Sequence, residues 1–302
     1  MKALVTGSSG FIGSNLVRRL ASRGDEVVGI DRRRVRGPAG LQVTMDLADR
    51  RNLAELARWA RWADVVFHLA ARPGIRSDSP RVDRLRHRDI IMTTDHLMAV
   101  VAERTHVILA SSSSVYGDAA RRNGSHRASR ETDPTRPISR YGHFKASMER
   151  LALQYRRPGD GLAIARPFTV IGEGQRPDMA LSIWMEAVRR GEPVEVFGGL
   201  DRARDVTDVS KVVEALMAMA DRRFCGTVNL GAGRPRLLDE MVKAVFSAMG
   251  REAPVRVVRA DPQEVRVTCA DPTRARVDLG VDLTTDLERV TIRQAGARLV
   301  AA

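Results

Sequence analysis

Three side chains in the middle of this sequence carry the most chemistry. Tyr141 and Lys145 stand four apart, so on a helix they share one face. A phenol with a pKa near ~10 is a poor base at neutral pH, but a neighbouring ammonium stabilises the phenolate and brings it towards the working range. Upstream, Val107-Ile-Leu-Ala reads as a buried strand ending in the cluster Ser111–Ser114. A serine hydroxyl at that strand end can hold a substrate oxygen while Tyr141 exchanges its proton. Only three tyrosines occur in 302 residues, and lysine is confined to Lys2, Lys145, Lys211 and Lys243. A Tyr–Lys pair is therefore informative here.

Residues 2–31 supply the scaffold those groups need. Ala3–Val5 is a short apolar strand running into Gly7, Gly10 and Gly13, then into a helical pattern carried by Ile12, Leu16, Val17 and Leu20. Gly24 stops the helix, and Val27–Ile30 is a second buried strand ending at Asp31. Glycines at such a junction let the backbone turn and approach a pyrophosphate, and the helix N-terminus attracts the anion. Asp31, about 20 residues past the loop, is placed to accept hydrogen bonds from a ribose diol. Arginines of the following basic loop, Arg32–Arg34, could stack on an adenine or hold a 2′-phosphate. Asp31 repels that phosphate, so NAD is expected over NADP.

The spacing Thr6-Gly-x-x-Gly-x-x-Gly resembles the extended short-chain dehydrogenase/reductase family, which includes nucleotide-sugar epimerases and dehydratases. The resemblance covers nearly the whole chain and is densest before about residue 210. It implies an α/β fold, a doubly wound parallel sheet (Rossmann-like) with a smaller α/β substrate lobe. Residues 1–170 would bind NAD, with 204–232 returning to that domain, while 171–203 and 233–302 form the substrate lobe. Implied cofactor contacts are Gly7, Gly10, Phe11, Ile12, Gly13, Asp31, Arg32, Asp46 (on the adenine amine), Leu47, and Leu69, Ala70 and Ala71 of a His-Leu-Ala-Ala segment, together with Tyr141 and Lys145. Lining up Val115-Tyr116-Gly117 with the family's similar segment puts the catalytic hydroxyl at Ser112. Departures are Phe144 for a small residue, Asp89 for an asparagine, Met92 for a glycine and Lys211 for an acid.

The serine cluster discriminates among reactions. The family's 4,6-dehydratases carry Asp-Glu after the catalytic hydroxyl, whereas Ser113 and Ser114 stand here; the uronate decarboxylases place glutamate at the position of Ser114. Arg166 to Met179 is similar to UDP-glucuronate 4-epimerases. By that likeness Ser112, Ser113, Ser114, Thr169, Arg176, Phe197 and Arg204 meet the substrate: Arg176 a uronate carboxylate or diphosphate, Arg204 the diphosphate, Phe197 the base. The implied activity is NAD-dependent 4-epimerisation of a UDP-sugar, through a 4-keto intermediate. A 4-ketosugar reductase or dehydratase, and a dinucleotide-sensing regulator, are the rival readings.

Composition bounds the rest. The chain carries a net charge of +13, but its basic residues are scattered and its aromatics are only 4%, so no nucleic-acid partner is expected. No apolar run approaches a membrane span, and no leader or metal site is expected. Cys225 and Cys269 suit a reducing cytoplasm as unpaired residues, and His68 reads as a core histidine. Helices are expected at 50–63, 81–103, 141–155, 179–190, 209–220, 238–249 and 287–299. Further strands are expected at 43–47, 64–71, 162–168, 194–197, 227–230 and 255–258. The resemblance also implies a homodimer paired through 81–103 and 142–155.

Overall fold

The computed structural model describes residues 1–33, 40–74, 79–119, 121–122, 125–156 and 160–301. Arg34 lies outside the described residues. The chain opens with β1 (Lys2–Thr6), α1 (Phe11–Arg23), β2 (Glu26–Asp31), β3 (Leu41–Thr44), α2 (Leu53–Trp62) and β4 (Val65–His68). Next, α3 (Pro80–Arg86), a π-helical turn (His87–Met92) and α4 (Thr93–Val100) lead to β5 (His106–Ala110). A small hairpin, β6 (Arg121–Arg122) and β7 (Ser125–His126), precedes α5 (Arg140–Tyr155), β8 (Leu162–Pro167) and β9 (Thr169–Ile171). After α6 (Ala180–Arg190) come β10 (Val194–Phe197), β11 (Ala203–Asp208), α7 (Val209–Asp221), β12 (Gly226–Leu230), β13 (Pro235–Leu237) and α8 (Leu238–Met249). The last elements are β14 (Val255–Val258), α9 (Thr273–Leu279) and α10 (Leu287–Ala301).

Seven strands form one parallel sheet in the order β12-β8-β5-β4-β1-β2-β3. Alternate residues feed opposite faces, as the two-residue strand period requires. Val5, Phe67 and Ile108 pack with Leu16, Leu216 and Leu279 of α1, α7 and α9, whereas Leu4, Val66 and Val107 pack with Leu56, Leu97 and Met148 of α2, α4 and α5. Chain order reverses between β1 and β4, and the crevice beyond their carboxyl ends is where such sheets take ligands.

A second lobe is built from the sheet β13-β11-β9, the pair β10-β14 and the helices α6, α8 and α10, packed around Trp184, Met241 and Val290. Phe168 alone separates β8 in the large sheet from β9 in the small one. Because β11 pairs with β9 and β13, the chain rejoins the large sheet only at α7 and β12. Asp205, fully buried on β11, fastens the crossing: its carboxylate accepts from the amides of Ala232 (2.8 Å), Gly233 (3.0 Å) and Ala270 (2.8 Å).

Three expectations need correction. The helix expected over 81–103 runs from Pro80, is interrupted by the π turn and ends at Val100, beyond which Val101 is extended. The third strand is Leu41–Thr44 rather than 43–47, so Asp46 and Leu47 lie past its end. The helix expected from residue 50 begins with a 3₁₀ turn, Arg50–Asn52, capped by Asp49. Among the described residues no helix is long and apolar enough to cross a membrane.

Candidate active site

At the sheet's switch point the glycine loop is formed by contact between backbones. Gly7 has φ +72°, and a Cβ there would lie 2.8 Å from the Ala70 amide nitrogen. A Cβ on Gly13 would lie 2.1 Å from the Gly7 carbonyl oxygen. These two glycines thus seat the loop on the end of β4 and the helix on the loop. The N-cap of α1 is Gly10, which offers no side-chain cap, and the first turn holds no acid. Its leading amides are available to an anion.

A cavity of about 300 Å³ opens over this loop. Of the expected cofactor residues, Gly7, Gly10, Asp31, Arg32, Asp46, Leu47, Leu69, Ala70 and Ala71 line it. Phe11, Ile12 and Gly13, in the first turn of α1, do not, and neither do Tyr141 and Lys145 on α5. Ile30, Arg33, Met45, Arg72, Pro73, Asp89, Thr93 and Asp178 line it too; of these the sequence points to Arg33, in the basic loop, and to Asp89, as a departure from its relatives. The Asp31 carboxylate is already oriented, accepting from the amides of Ser9 (3.1 Å) and Arg33 (2.9 Å). A positive-φ glycine, an uncapped helix N-terminus and an acid at the end of β2 together fit a dinucleotide.

His68 lies beneath the loop. Thr94 Oγ1 donates to the Ile90 carbonyl (2.7 Å), so it accepts from His68 Nε2 (3.1 Å); Thr6 Oγ1 accepts from the Ala70 amide (3.3 Å) and donates to Nδ1 (2.8 Å). Burial, with Lys145 adding to it, lowers this imidazole to about 3, so it stays neutral and structural.

The catalytic group forms where α5 meets the end of β5. Ser139 caps α5 by accepting from the Gly142 amide (3.1 Å), which places Tyr141 in the first turn. Gly142 is needed for close approach, because a Cβ would stand 2.4 Å from the Ser114 carbonyl oxygen. That approach sets the serine segment beside Tyr141. Ser112 lies close enough to Tyr141 to favour its phenolate, and its Oγ donates to Ser114 Oγ (3.0 Å) and accepts from the Ser114 amide (3.1 Å). Lys145 Nζ donates to the Ala110 carbonyl (2.6 Å) at the end of β5.

The electrostatics differ from expectation. Burial pushes Tyr141 up to about 12, against the opposing pull of Arg176, Ser112 and Arg86. Lys145, buried beside Met148, is lowered to about 7 by burial, with Glu149 opposing. The expected depression of the phenol by Lys145 is absent because the ammonium is directed at Ala110 instead.

These shifts set a pH dependence. Between pH 7 and 10.5 unfolded Lys145 keeps a proton that the folded form has released, so stability rises with pH in that window. Cys269 at about 11, and Tyr116 and Tyr141 at about 12, act in the opposite sense above their ordinary values of 9.0 and 10.0. The denaturation midpoint of NAD-free protein should therefore rise from pH 7 to about 9 and fall at higher pH. Lys145→Met should flatten the rising limb; an unchanged limb would remove Lys145 as its source.

Of the expected substrate residues, Arg176 lines the cavity and Ser112, Ser113 and Ser114 do not. Arg176, in the loop after β9, lines the same cavity as the glycine loop and forms a two-pronged pair with Asp178 (2.8 and 3.0 Å). Thr169 opens β9, Phe197 ends β10, and Arg204 on β11 donates to the carbonyls of Ala203 (2.9 Å) and Arg266 (3.2 Å). None of these last three lines the cavity. Among the described residues no group of three or more His, Cys, Asp or Glu is placed to hold a metal. Cys225 and Cys269 are not bonded to each other.

A parallel sheet with a glycine loop at its switch point, beside a Ser–Tyr–Lys group, defines a dinucleotide-dependent enzyme class. Residues 3–231 match the NAD dependent epimerase/dehydratase family, and the chain belongs to it. It is 32% identical to an uncharacterized UDP-glucose epimerase, YtcB, of Bacillus subtilis, over 95% of each chain. It is 30% identical to a probable UDP-glucuronate 4-epimerase of Rhizobium meliloti, over 99% of this chain and 96% of that one. Among solved structures it is similar to MoeE5 in complex with UDP-glucuronic acid and NAD (TM-score 0.90, 36% identity, 100% of both chains). It is also similar to UDP-glucuronic acid 4-epimerase from Bacillus cereus in complex with UDP-glucuronic acid and NAD (TM-score 0.89, 27% identity, 100% of both chains).

Proposed function

We propose that this protein is an NAD-dependent 4-epimerase interconverting UDP-glucuronate and UDP-galacturonate. The observation that carries the uronate reading is the position of Arg176. It lines the dinucleotide cavity, and its charge also acts on the Tyr141 phenol, so a cation stands between the two halves of the chemistry.

The glycine loop and Asp31 would hold the diphosphate and a ribose of NAD, which when bound would supply reversible uptake of the C4 hydride. The protein handles protons and geometry. Tyr141 removes the C4 hydroxyl proton and later returns one, while Ser112 hydrogen-bonds the same oxygen. Arg176 supplies positive charge that favours the phenolate, and Lys145 adds its own once it leaves the Ala110 carbonyl. Arg204 and Phe197 hold the UDP portion, with Thr169, Ser113 and Ser114 beside the sugar. The 4-keto sugar turns within the cleft, so its opposite face is reduced. This intermediate is a β-keto acid, and Arg176 keeps its carboxylate out of line with the ketone. In this reading residues 1–170 and 204–232 serve NAD, 171–203 and 233–302 serve the sugar nucleotide, and the enzyme works in the cytoplasm as a homodimer.

Losing a charge-assisted contact costs roughly 1.5–3 kcal/mol. Arg176→Ala should therefore lose about tenfold to a hundredfold in kcat/KM on UDP-glucuronate and much less on UDP-glucose. Chromatography of both reactions, wild type and variant, reads this. If wild type prefers UDP-glucose, or the variant weakens both substrates equally, the uronate assignment fails and the epimerase reading stands. An absorbance change at about 340 nm in step with turnover would instead favour the ketoreductase.

A further inference from the structure

At the far end of the cavity one buried carboxylate gathers three guanidinium groups. Asp89 lies in the π turn between α3 and α4 and is 6% exposed. Its oxygens accept from Arg72 Nε (2.8 Å), Arg88 Nη1 (2.9 Å) and Arg32 Nη1 (3.1 Å to each oxygen). The donors come from three segments: the loop after β2, the loop after β4 and the π turn itself. Arg88 also binds Asp46, and Asp31, Arg32, Arg33, Asp46, Arg72 and Asp89 all line the cavity. π turns of this kind cluster at functional sites because the extra residue re-aims a side chain.

Arg32 follows the ribose-binding acid directly, the place from which an arginine accommodates a 2′-phosphate. Here its Nη1 is held between the two Asp89 oxygens. Arg33, the next cation, leans on Asp31 itself at 3.9 Å. We propose that Asp89 is a second determinant of NAD specificity: by engaging Arg32 it withholds the cation that would otherwise accept the 2′-phosphate of NADP. Asp31 repels the phosphate directly, and Asp89 acts through Arg32. Asp89 is thus a positioning residue, and its replacement moves the preference between cofactors rather than cofactor binding as a whole.

The test is equilibrium titration of NAD and NADP into wild type, Asp89→Asn, Arg32→Ala and the double variant. Asp89→Asn should lower the NADP dissociation constant by about tenfold relative to that for NAD, the effect of one new charge-assisted contact. The double variant should lose that gain. Arg32→Ala alone should leave the NADP/NAD ratio at the wild-type value, because its charge is already withheld; this arm holds even if Asp89→Asn folds poorly. An unchanged ratio in Asp89→Asn, a gain that survives in the double variant, or a further loss of NADP binding in Arg32→Ala each overturns the proposal. The inference rests on the cavity holding a dinucleotide, and the wild-type NAD titration reads that separately.

Discussion

Tyr141→Phe should fold and bind NAD, yet lose about 10²- to 10⁴-fold in kcat/KM, the range for removing a general acid–base group. The substitution deletes one hydroxyl and keeps the ring on α5. Its partner Ser112 remains bonded to Ser114, so no buried polar group is stranded. The loss should fall on turnover with KM little changed, because the hydroxyl acts on the reacting oxygen. Initial rates together with an NAD titration separate the two effects. Near-normal turnover would remove Tyr141 from the mechanism.

Glu149→Ala should produce the largest fall in stability. Glu149 lies one turn beyond Lys145 and receives both prongs of Arg166 (2.9 and 2.6 Å), with the two side chains 6% and 7% exposed. Arg166 Nη1 also donates to the Tyr116 hydroxyl (2.7 Å), which donates on to Asn229 (2.8 Å). Burial opposes the charge on Arg166, but hydrogen bonding and charge pairing with Glu149, together with Tyr116, outweigh it and hold the guanidinium above its usual range. Truncating Glu149 strands that cation, and breaking such a pair costs about 3–5 kcal/mol. Denaturant midpoints at fixed NAD concentration measure it, with Glu149→Gln losing less because it keeps the hydrogen-bonding shape. A loss of under about 1 kcal/mol in Glu149→Ala, the worth of a surface pair, would show that the network is not a stabilising unit.

The large sheet and its loop were legible because their signals are local: glycines at fixed offsets, apolar runs bounded by turns, and an acid at a strand end. Tyr141 and Lys145 were legible because one helical turn links them. The small sheet was not. Ala203–Asp208 carries Arg204, Asp205 and Asp208 in six residues, so no apolar run marks it as a strand. It is a strand because the Asp205 carboxylate is spent on amides from residues 232, 233 and 270, partners no local pattern reveals. The arginine cluster on Asp89 is hidden similarly, since its members are up to 57 residues apart. Where the Lys145 charge acts is not legible either, because spacing reports a shared face but not where Nζ points.

Phe168 has a consequence for how the molecule comes apart. A single residue between β8 and β9 leaves no slack chain between the lobes, and β11 returns through the same seam under the clasp of Asp205. Fraying the small lobe would drag on β8, an interior strand of the large sheet, while melting the large sheet would remove the anchor of β9. Neither half is then a separate foldon in the usual sense of a locally closing unit. A single cooperative transition for the whole chain is the expected result of denaturant unfolding followed by two probes.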